Sequence, residues 1–92
     1  MEIKHGAVAG TLESSDIMVT VLPNPDGIQI DLTSSVEQYY GDSIRETMRK
    51  TLEELGVHSV RIEAVDHGAL DCTIQARVTT AIHRAAQEEV AK

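Results

Sequence analysis

Two adjacent serines are the residues of this chain best placed to carry chemistry. They occur in the segment Glu13-Ser14-Ser15-Asp16, which precedes a run of apolar residues. A polar loop is open to a modifying enzyme, but a serine hydroxyl is a weak nucleophile that needs a base. No histidine adjoins the segment in the sequence, so that base would have to come from the modifying enzyme. Composition alone also fits a plain polar turn between two strands.

A third serine, Ser43, offers a competing site. The tripeptide Asp42-Ser43-Ile44 resembles the Asp-Ser-Leu motif that carries phosphopantetheine in ordinary acyl carrier proteins, where a helix N-terminus can help hold the phosphate. Ser43 and Glu46 also have the spacing of a capping box, in which the serine only satisfies backbone N–H groups. Ordinary carriers are all-helical, whereas this chain contains several strand-like segments. Helix capping is therefore the default interpretation of Ser43, and modification is the alternative.

The cysteine and the histidines give no catalytic or metal-binding pattern. Cys72 is the only cysteine, so an internal disulfide is excluded. It lies on the apolar side of an alternating segment, and we expect it to be a buried small hydrophobic residue. A nucleophilic cysteine would want a partner such as His67, but the spacing shows nothing specific. The histidines lack metal-ligand spacing, and no phosphate-binding or nucleophile-elbow motif is present. This favours a carrier or an adaptor over an enzyme.

Composition and charge narrow the class of partner. The chain has 92 residues, enough for a single domain over residues 1–92. It carries 8 basic and 15 acidic residues, a net charge of −7. This charge disfavours nucleic acid as a partner. It is compatible with a basic protein partner, and equally with an acidic surface that is only solvated. Tyr39 and Tyr40 are its only aromatic residues. No apolar run approaches membrane-spanning length, so we expect a soluble, cytoplasmic protein with no membrane partner.

The first third of the chain reads as strands. Residues 16–22 and 28–32 alternate apolar and polar side chains, and residues 23–27 form a turn rich in proline and glycine. These segments together predict a β-hairpin. Residues 3–9 are a weaker candidate strand, because their alternation is poor.

A helix follows the strands. Ser34 and Glu37 have capping-box spacing, and residues 35–41 could be either its first turn or a separate short helix. The apolar stripe that defines the helix consists of Ile44, Met48, Leu52 and Leu55. Gly56 is expected to end it in the left-handed conformation.

The remaining segments complete the predicted architecture. Residues 57–65 and 70–78 alternate like strands around a turn at 66–68, and helical spacing then runs from Thr79 to about Glu89. The predicted order is β-β-β-α-β-β-α. It indicates an α+β two-layer sandwich, with a mainly antiparallel sheet and two helices on one face.

The whole chain resembles one known family. The resembling stretches are MEIKHGAVAGTLESSDIMVTV, SSVEQYYGDSIRETMRKTLEELGV and DHGALDCTIQARVTTAIHRAA. They are similar to the acyl carrier protein, or gamma subunit, of bacterial citrate lyase. The combination of AGTLESSD with GALDC at this separation is specific to few families.

The resemblance implies a covalent cofactor. In that family the first serine of the Glu-Ser-Ser-Asp stretch carries phosphoribosyl dephospho-coenzyme A through a phosphodiester. The matching residue is Ser14, with Ser15 as its unmodified neighbour. A holo-carrier synthase would attach the group, and we hypothesise that Glu13 and Asp16 position the loop for that enzyme. Charge-neutral replacements that leave the modification rate unchanged would contradict this hypothesis.

The resemblance also implies a role and partners. In that family the attached prosthetic group forms a flexible arm, which ends in a thiol that carries an acetyl thioester. An alpha subunit, the acyl transferase, exchanges acetyl for citryl, and a beta lyase subunit cleaves the citryl thioester to oxaloacetate. The chain itself would be non-catalytic and would hold no metal, because the chemistry belongs to the cofactor and the partner subunits. The alternatives are a carrier of a related malonate decarboxylase and a non-covalent acidic adaptor.

Overall fold

The computed structural model of the protein describes residues 1–87, which form a mixed sheet covered by two helices. The elements are β1 (Ala7–Gly10), β2 (Ile17–Leu22), β3 (Ile28–Ser34), α1 (Glu37–Glu54), β4 (Val60–Asp66) and α2 (Asp71–Ala86). The four strands lie in the order β1-β2-β4-β3. The helices pack on each other, and both contact the same sheet. The α+β two-layer class is therefore confirmed.

Two of the three strand pairings are antiparallel. β1 pairs with β2 so that Ala9 lies opposite Val19, and β2 pairs with β4 so that Val19 lies opposite Ala64. β3 runs parallel to β4, with Ile30 opposite Ile62. The prediction of a mainly antiparallel sheet is confirmed, and the weak candidate strand at 3–9 corresponds to β1.

The core lies between the helices and one face of the sheet. Strand side chains alternate, so every second residue of β2 and β4 points at the helices. The fully buried apolar residues that fill this space include Ile17, Val19, Val21, Met48, Leu52, Ile62, Ile74, Val78 and Ile82. The other face is more polar: Arg61 lies there, 3.1 Å from Asp31 and 3.2 Å from Glu63. This polarity is what an open sheet face requires.

The predicted hairpin between residues 16–22 and 28–32 is wrong. Both segments are strands, but β4 lies between them. The turn at 23–27 reverses the chain without deciding which strand pairs with which. β4 alternates Val60, Ile62 and Ala64 toward the core, which makes it a suitable central strand. Helix α1 then serves as the crossover between the parallel strands β3 and β4.

The predicted strand at residues 70–78 is also wrong. One helix runs from Asp71 to Ala86, so the order is β-β-β-α-β-α. The alternation of apolar residues there also fits helical spacing, and the buried positions of α2 follow the helical period: Ile74, Val78, Ala81, Ile82 and Ala85. Cys72 falls off this stripe and is exposed, contrary to the expectation that it is buried. The predicted helix end near Glu89 lies outside the described residues.

The start of α1 differs from both capping predictions. The helix begins at Glu37, so most of the undecided segment 35–41 belongs to it. Val36 is the N-cap residue, and no side chain caps the helix. Ser34 Oγ instead accepts a hydrogen bond of 3.1 Å from the N–H of Val36. Ser43 lies inside the helix rather than at its start, so it caps nothing.

The end of α1 agrees with prediction. Gly56 has a φ of +69°, the left-handed conformation expected of a residue just past a helix. Its N–H donates to the carbonyl of Glu53 at 3.0 Å, and Val57 N–H donates to the carbonyl of Leu52 at 2.9 Å. These two bonds form a Schellman motif, which satisfies carbonyls that the helix leaves free.

Candidate functional site

The topology gathers three connections at one end of the sheet. β1 ends and β2 begins there, joined by residues 11–16, which we call the serine loop. β3 and β4 also end there, because they run parallel to each other and antiparallel to β2. The junction at 35–36 and the turn at 67–70 therefore lie at the same end of the sheet as the serine loop. We call this edge of the molecule the serine end.

The serine loop is tied to its neighbours through the backbone. Ser15 N–H donates to the carbonyl of His67 at 2.8 Å, and His67 N–H donates to the carbonyl of Asp16 at 2.9 Å. Ser15 has a φ of +62°, in the left-handed region that a serine seldom adopts. The side chains of both serines are exposed. Within residues 1–87, the Ser14 hydroxyl accepts and donates no hydrogen bond, so it is presented to solvent on an anchored loop.

Asp16 fastens the serine loop to helix α2. Arg77 Nε donates to Asp16 Oδ1 at 3.0 Å, and Arg77 Nη2 donates to Oδ2 at 2.9 Å. Thr11 Oγ1 donates to Oδ2 at 2.6 Å, and the N–H of Ile17 donates to Oδ1 at 2.7 Å. Asp16 is buried. Each of its two carboxylate oxygens accepts two of these hydrogen bonds, so neither is left without a protein partner. We call the set Thr11, Asp16 and Arg77 the Asp16 clasp.

The clasp fixes the charge of its members. The hydrogen bonds from Arg77, and next the one from Thr11, hold the pKa of the Asp16 carboxyl well below its usual range, and they outweigh the burial that opposes ionisation. The Asp16 carboxylate in turn raises the pKa of Arg77. Asp16 is therefore an ionised structural anchor. The hypothesis that Asp16 and the exposed Glu13 position the loop for a modifying enzyme stays a prediction.

A second buried carboxylate organises the other side of the serine end. Asp66 is fully buried at the end of β4. Its Oδ2 accepts from Ser34 Oγ at 2.8 Å and from Gly68 N–H at 3.1 Å, while Oδ1 accepts from Ala69 N–H at 3.0 Å. These bonds join the 35–36 junction to the 67–70 turn. In the sequence, Asp66 stands between an alternating apolar strand and a glycine, a position typical of an aspartate that bonds the backbone of a turn. This pattern does not identify the partners of Asp66.

The residues that the sequence suggested as candidates for chemistry do not come together in one site. His67 is brought against the serine loop, although no histidine adjoins that loop in the sequence. Ser43 and Cys72 are exposed on α1 and α2 respectively. Across residues 1–87, no three His, Cys, Asp or Glu side chains are grouped so that they could hold a metal ion. In the same range, no helix has the length and apolar character needed to cross a membrane.

The arrangement suits a residue that is acted upon. The backbone and the Asp16 clasp hold the serine loop firmly, and Ser14 projects from it. The described residues place no base on the Ser14 hydroxyl, so activation would have to come from another protein. A fixed, exposed hydroxyl without its own base is suited to modification by another enzyme.

Comparisons with known proteins point to carriers. The family model described as malonate decarboxylase delta subunit (MdcD) matches residues 4–85. The citrate lyase acyl carrier protein of Streptococcus uberis is 62% identical over 94% of this chain and 85% of its own length. That of Streptococcus mutans is 60% identical over 98% of this chain and 89% of its own length.

One solved structure shows the same fold. It is a chain in the crystal structure of a Pseudomonas malonate decarboxylase hetero-tetramer in complex with malonate. The TM-score is 0.79 and the sequence identity is 16%, over 91% of this chain and 87% of that chain. At this identity the likeness concerns the fold alone.

Proposed function

The chain belongs to the citrate lyase acyl carrier protein family, and we propose that it carries phosphoribosyl dephospho-coenzyme A on Ser14. As a member of this family it is a carrier subunit rather than a catalytic one. The arm would present acetyl and citryl thioesters, in the cytoplasm, to an alpha transferase subunit and a beta lyase subunit. The observation that carries the proposal is the exposed Ser14 hydroxyl on a loop held by the backbone and by the Asp16 clasp.

Attachment would be a phosphoryl-type transfer. Ser14 Oγ forms a bond to the phosphorus of an activated donor, and the leaving group departs with the electrons of the broken phosphorus–oxygen bond. The serine proton passes to a base of the holo-carrier synthase. The result is a phosphodiester between Ser14 and the phosphoribosyl group. An anchored loop helps, because a fixed hydroxyl loses less freedom when the synthase aligns it with the donor.

Tethering then explains what a small protein without catalytic residues of its own contributes to the reaction. A thioester on an arm attached to Ser14 is confined near both partner active sites, which raises its effective concentration there. The chain supplies position, and the thiol and the partner subunits supply the reaction. The exposed hydroxyl at one end of the sheet leaves the arm free of the core.

The test is the intact mass of the protein after co-expression with the holo-carrier synthase and the enzyme that makes its cofactor donor. Matched variants are Ser14→Ala, Ser15→Ala and Ser43→Ala, all at exposed positions. We expect the adduct mass in the wild type and in the last two variants, and its loss in Ser14→Ala alone. Loss only in Ser43→Ala would move the site to α1. No adduct with verified enzymes would leave a non-covalent acidic adaptor as the better explanation.

A second candidate is the carrier of a malonate decarboxylase, because the matching family model and the solved neighbour both bear that name. Both candidates place the arm on Ser14 and differ in the acyl group. The two are separated by offering the acetylated holo-protein, with each purified transferase subunit, either citrate or malonate. Release of acetate with citrate alone supports the citrate lyase assignment.

A further inference from the structure

A cleft opens at the serine end and has no role in the function proposed so far. It has a volume of about 400 Å³ and lies between the first turns of α1 and the 67–70 turn. Its apolar lining includes Val36, Tyr40, Ile44 and Leu70, and its polar members are Ser43 and Asp71. This volume lies within the range of small-molecule sites, about 300–1,000 Å³, which are mostly apolar with a few polar groups.

The cleft exposes side chains that a core would normally cover. Tyr40 is 59% exposed and Leu70 is 70% exposed. Tyr40 is one of only two aromatic residues in the chain, and the core uses neither. An exposed aromatic ring beside apolar groups offers a flat surface on which another planar group can stack.

The wall of the cleft adjoins a residue that is hydrogen-bonded to the loop that bears Ser14. Gly68, in its wall, directly follows His67, whose carbonyl accepts the hydrogen bond from Ser15 N–H. Asp66 holds the N–H groups of Gly68 and Ala69, so this wall is fixed relative to the sheet. A group attached to Ser14 therefore begins at the end of the sheet where the cleft opens.

Charge decides which part of such a group would enter. The residues that line the cleft include no cation, and their one carboxylate is that of Asp71. Phosphate groups and a citryl carboxylate are anionic, so the cleft disfavours them. A neutral aromatic base suits it, because its ring can stack on Tyr40 while its amino group donates a hydrogen bond to an oxygen of Ser43 or Asp71.

We propose that this cleft binds the adenine base of the prosthetic group once that group is attached to Ser14. The inference rests on the proposed function, since the base arrives with the phosphoribosyl dephospho-coenzyme A. Within that group the adenosine follows the phosphoribosyl unit that is joined to the serine, and the thiol lies at the far end. Seating the base would fix the root of the arm and leave the thioester end free to reach the partner subunits.

The test compares backbone amide NMR spectra of the apo protein and of holo protein whose adduct has been verified by mass. We expect the amide signals of Gly68, Leu70 and Tyr40 to shift in the holo protein, in addition to those of the serine loop. Shifts confined to residues 11–16 would overturn the inference and leave the proposed function intact. Failure to obtain any adduct would instead count against the proposed function.

Two tyrosine variants provide a matched control. Tyr39 is 79% exposed and is not part of the cleft lining, whereas Tyr40 is part of it. In holo protein we expect Tyr40→Ala to return the Gly68 and Leu70 signals to their positions in the apo form of the same variant. Tyr39→Ala should retain the shifts. Equal behaviour of the two variants would contradict the assignment, and circular dichroism checks that both remain folded.

A last step distinguishes adenine from the pantetheine end of the same arm. Nucleotide pyrophosphatase hydrolyses the pyrophosphate of the attached group, releases phosphopantetheine and leaves phosphoribosyl-linked adenosine monophosphate on Ser14, which the intact mass verifies. We expect the shifts of Gly68 and Leu70 to persist after this cut. Their disappearance would show that the cleft binds the pantetheine portion and would overturn the inference.

Discussion

Arg77 on α2 makes a two-point contact with Asp16 in the serine loop, with distances of 3.0 Å from Nε to Oδ1 and 2.9 Å from Nη2 to Oδ2. The two residues are 61 positions apart in the sequence. The contact joins the loop that presents Ser14 to the helix that covers β1 and β2. The geometry of the candidate site thus depends on the folded state as a whole.

Asp16→Asn should therefore lower the free energy of unfolding. The variant keeps the size of the side chain but removes the charge and one acceptor for Arg77 and Thr11. Hydrogen bonds to charged groups contribute about 1.5–3 kcal/mol, so we expect a loss of that order in urea denaturation. Asp31→Asn is the control, since Asp31 pairs with Arg61 on the exposed sheet face. Exposed pairs contribute about 0–1 kcal/mol. Equal effects of the two substitutions would contradict the role of the clasp.

The same carboxylate should make stability depend on pH. The pKa of Asp16 is lowered in the folded state, so the unfolded chain binds the proton more readily. The stabilising contribution is fully present above the unfolded value, about 3.9, and is lost progressively as the pH falls below it. We expect the free energy of unfolding to fall more steeply below about pH 4 in the wild type than in Asp16→Asn. Parallel curves for the two proteins would show that Asp16 has no lowered pKa.

Gly10 should tolerate no side chain. It has a φ of +95°, and a Cβ atom placed there would lie 1.8 Å from the backbone carbonyl oxygen of Ile17. Gly27 has a φ of +88°, and a Cβ atom placed there would have no atom within 4 Å. Gly27→Ala is therefore the control, because it changes the backbone strain without adding a steric clash. A left-handed non-glycine residue costs roughly 1–2 kcal/mol, which we expect for Gly27→Ala. Gly10→Ala should cost clearly more in thermal unfolding, and equal losses would contradict the close approach.

Ser15 should be sensitive to side-chain shape because of its φ of +62°. A β-branched residue is strongly disfavoured in that region, so we expect Ser15→Val to lower the free energy of unfolding by about 1–3 kcal/mol. Ser14→Val is the control at an exposed neighbouring position, where a change within about 0.5 kcal/mol is expected. A similar loss at both positions, measured by urea denaturation, would show that the loop and not the φ of Ser15 is responsible.

Cys72 should react without unfolding of the protein. Because it is exposed on α2, its thiol should be modified by an aromatic disulfide reagent in the native apo protein. We expect one thiol per chain, at a rate close to that in denaturant. The Cys72→Ser variant should show no reaction. A thiol that reacts only after denaturation would instead support the buried position expected from the sequence.

Patterns that depend on near neighbours were predictable from the sequence. The left-handed Gly56 after α1 and the strands around residues 16–22 and 28–32 follow from local chemistry, and all are present. The partner of each strand was not predictable, because a turn at 23–27 is compatible with more than one sheet order. The prediction of a strand at 70–78 was wrong for a related reason. Its apolar residues satisfy both a strand and a helix period, and only packing against the sheet selects the helix.

The site was found only in part. The Glu-Ser-Ser-Asp stretch was located by its residues and by family resemblance. The groups that hold it, the side chain of Arg77 and the backbone of His67, lie far away in the sequence. The sequence pattern places Arg77 among the polar residues of a predicted strand and His67 in a predicted turn. Their partners are set by long-range topology, which neither residue type nor spacing encodes in a single sequence.

The insertion of β4 between β2 and β3 has a consequence for biosynthesis. Three strands leave the ribosome before the strand that must lie at the centre of the sheet, and residues 60–66 have to enter between partners made earlier. Arg77, which closes the Asp16 clasp, is translated later still. Folding must therefore wait until nearly the whole chain is available, as is usual where long-range strand pairing dominates. A nascent chain cannot show Ser14 in its native setting, so an enzyme that recognises that setting would modify only completed protein.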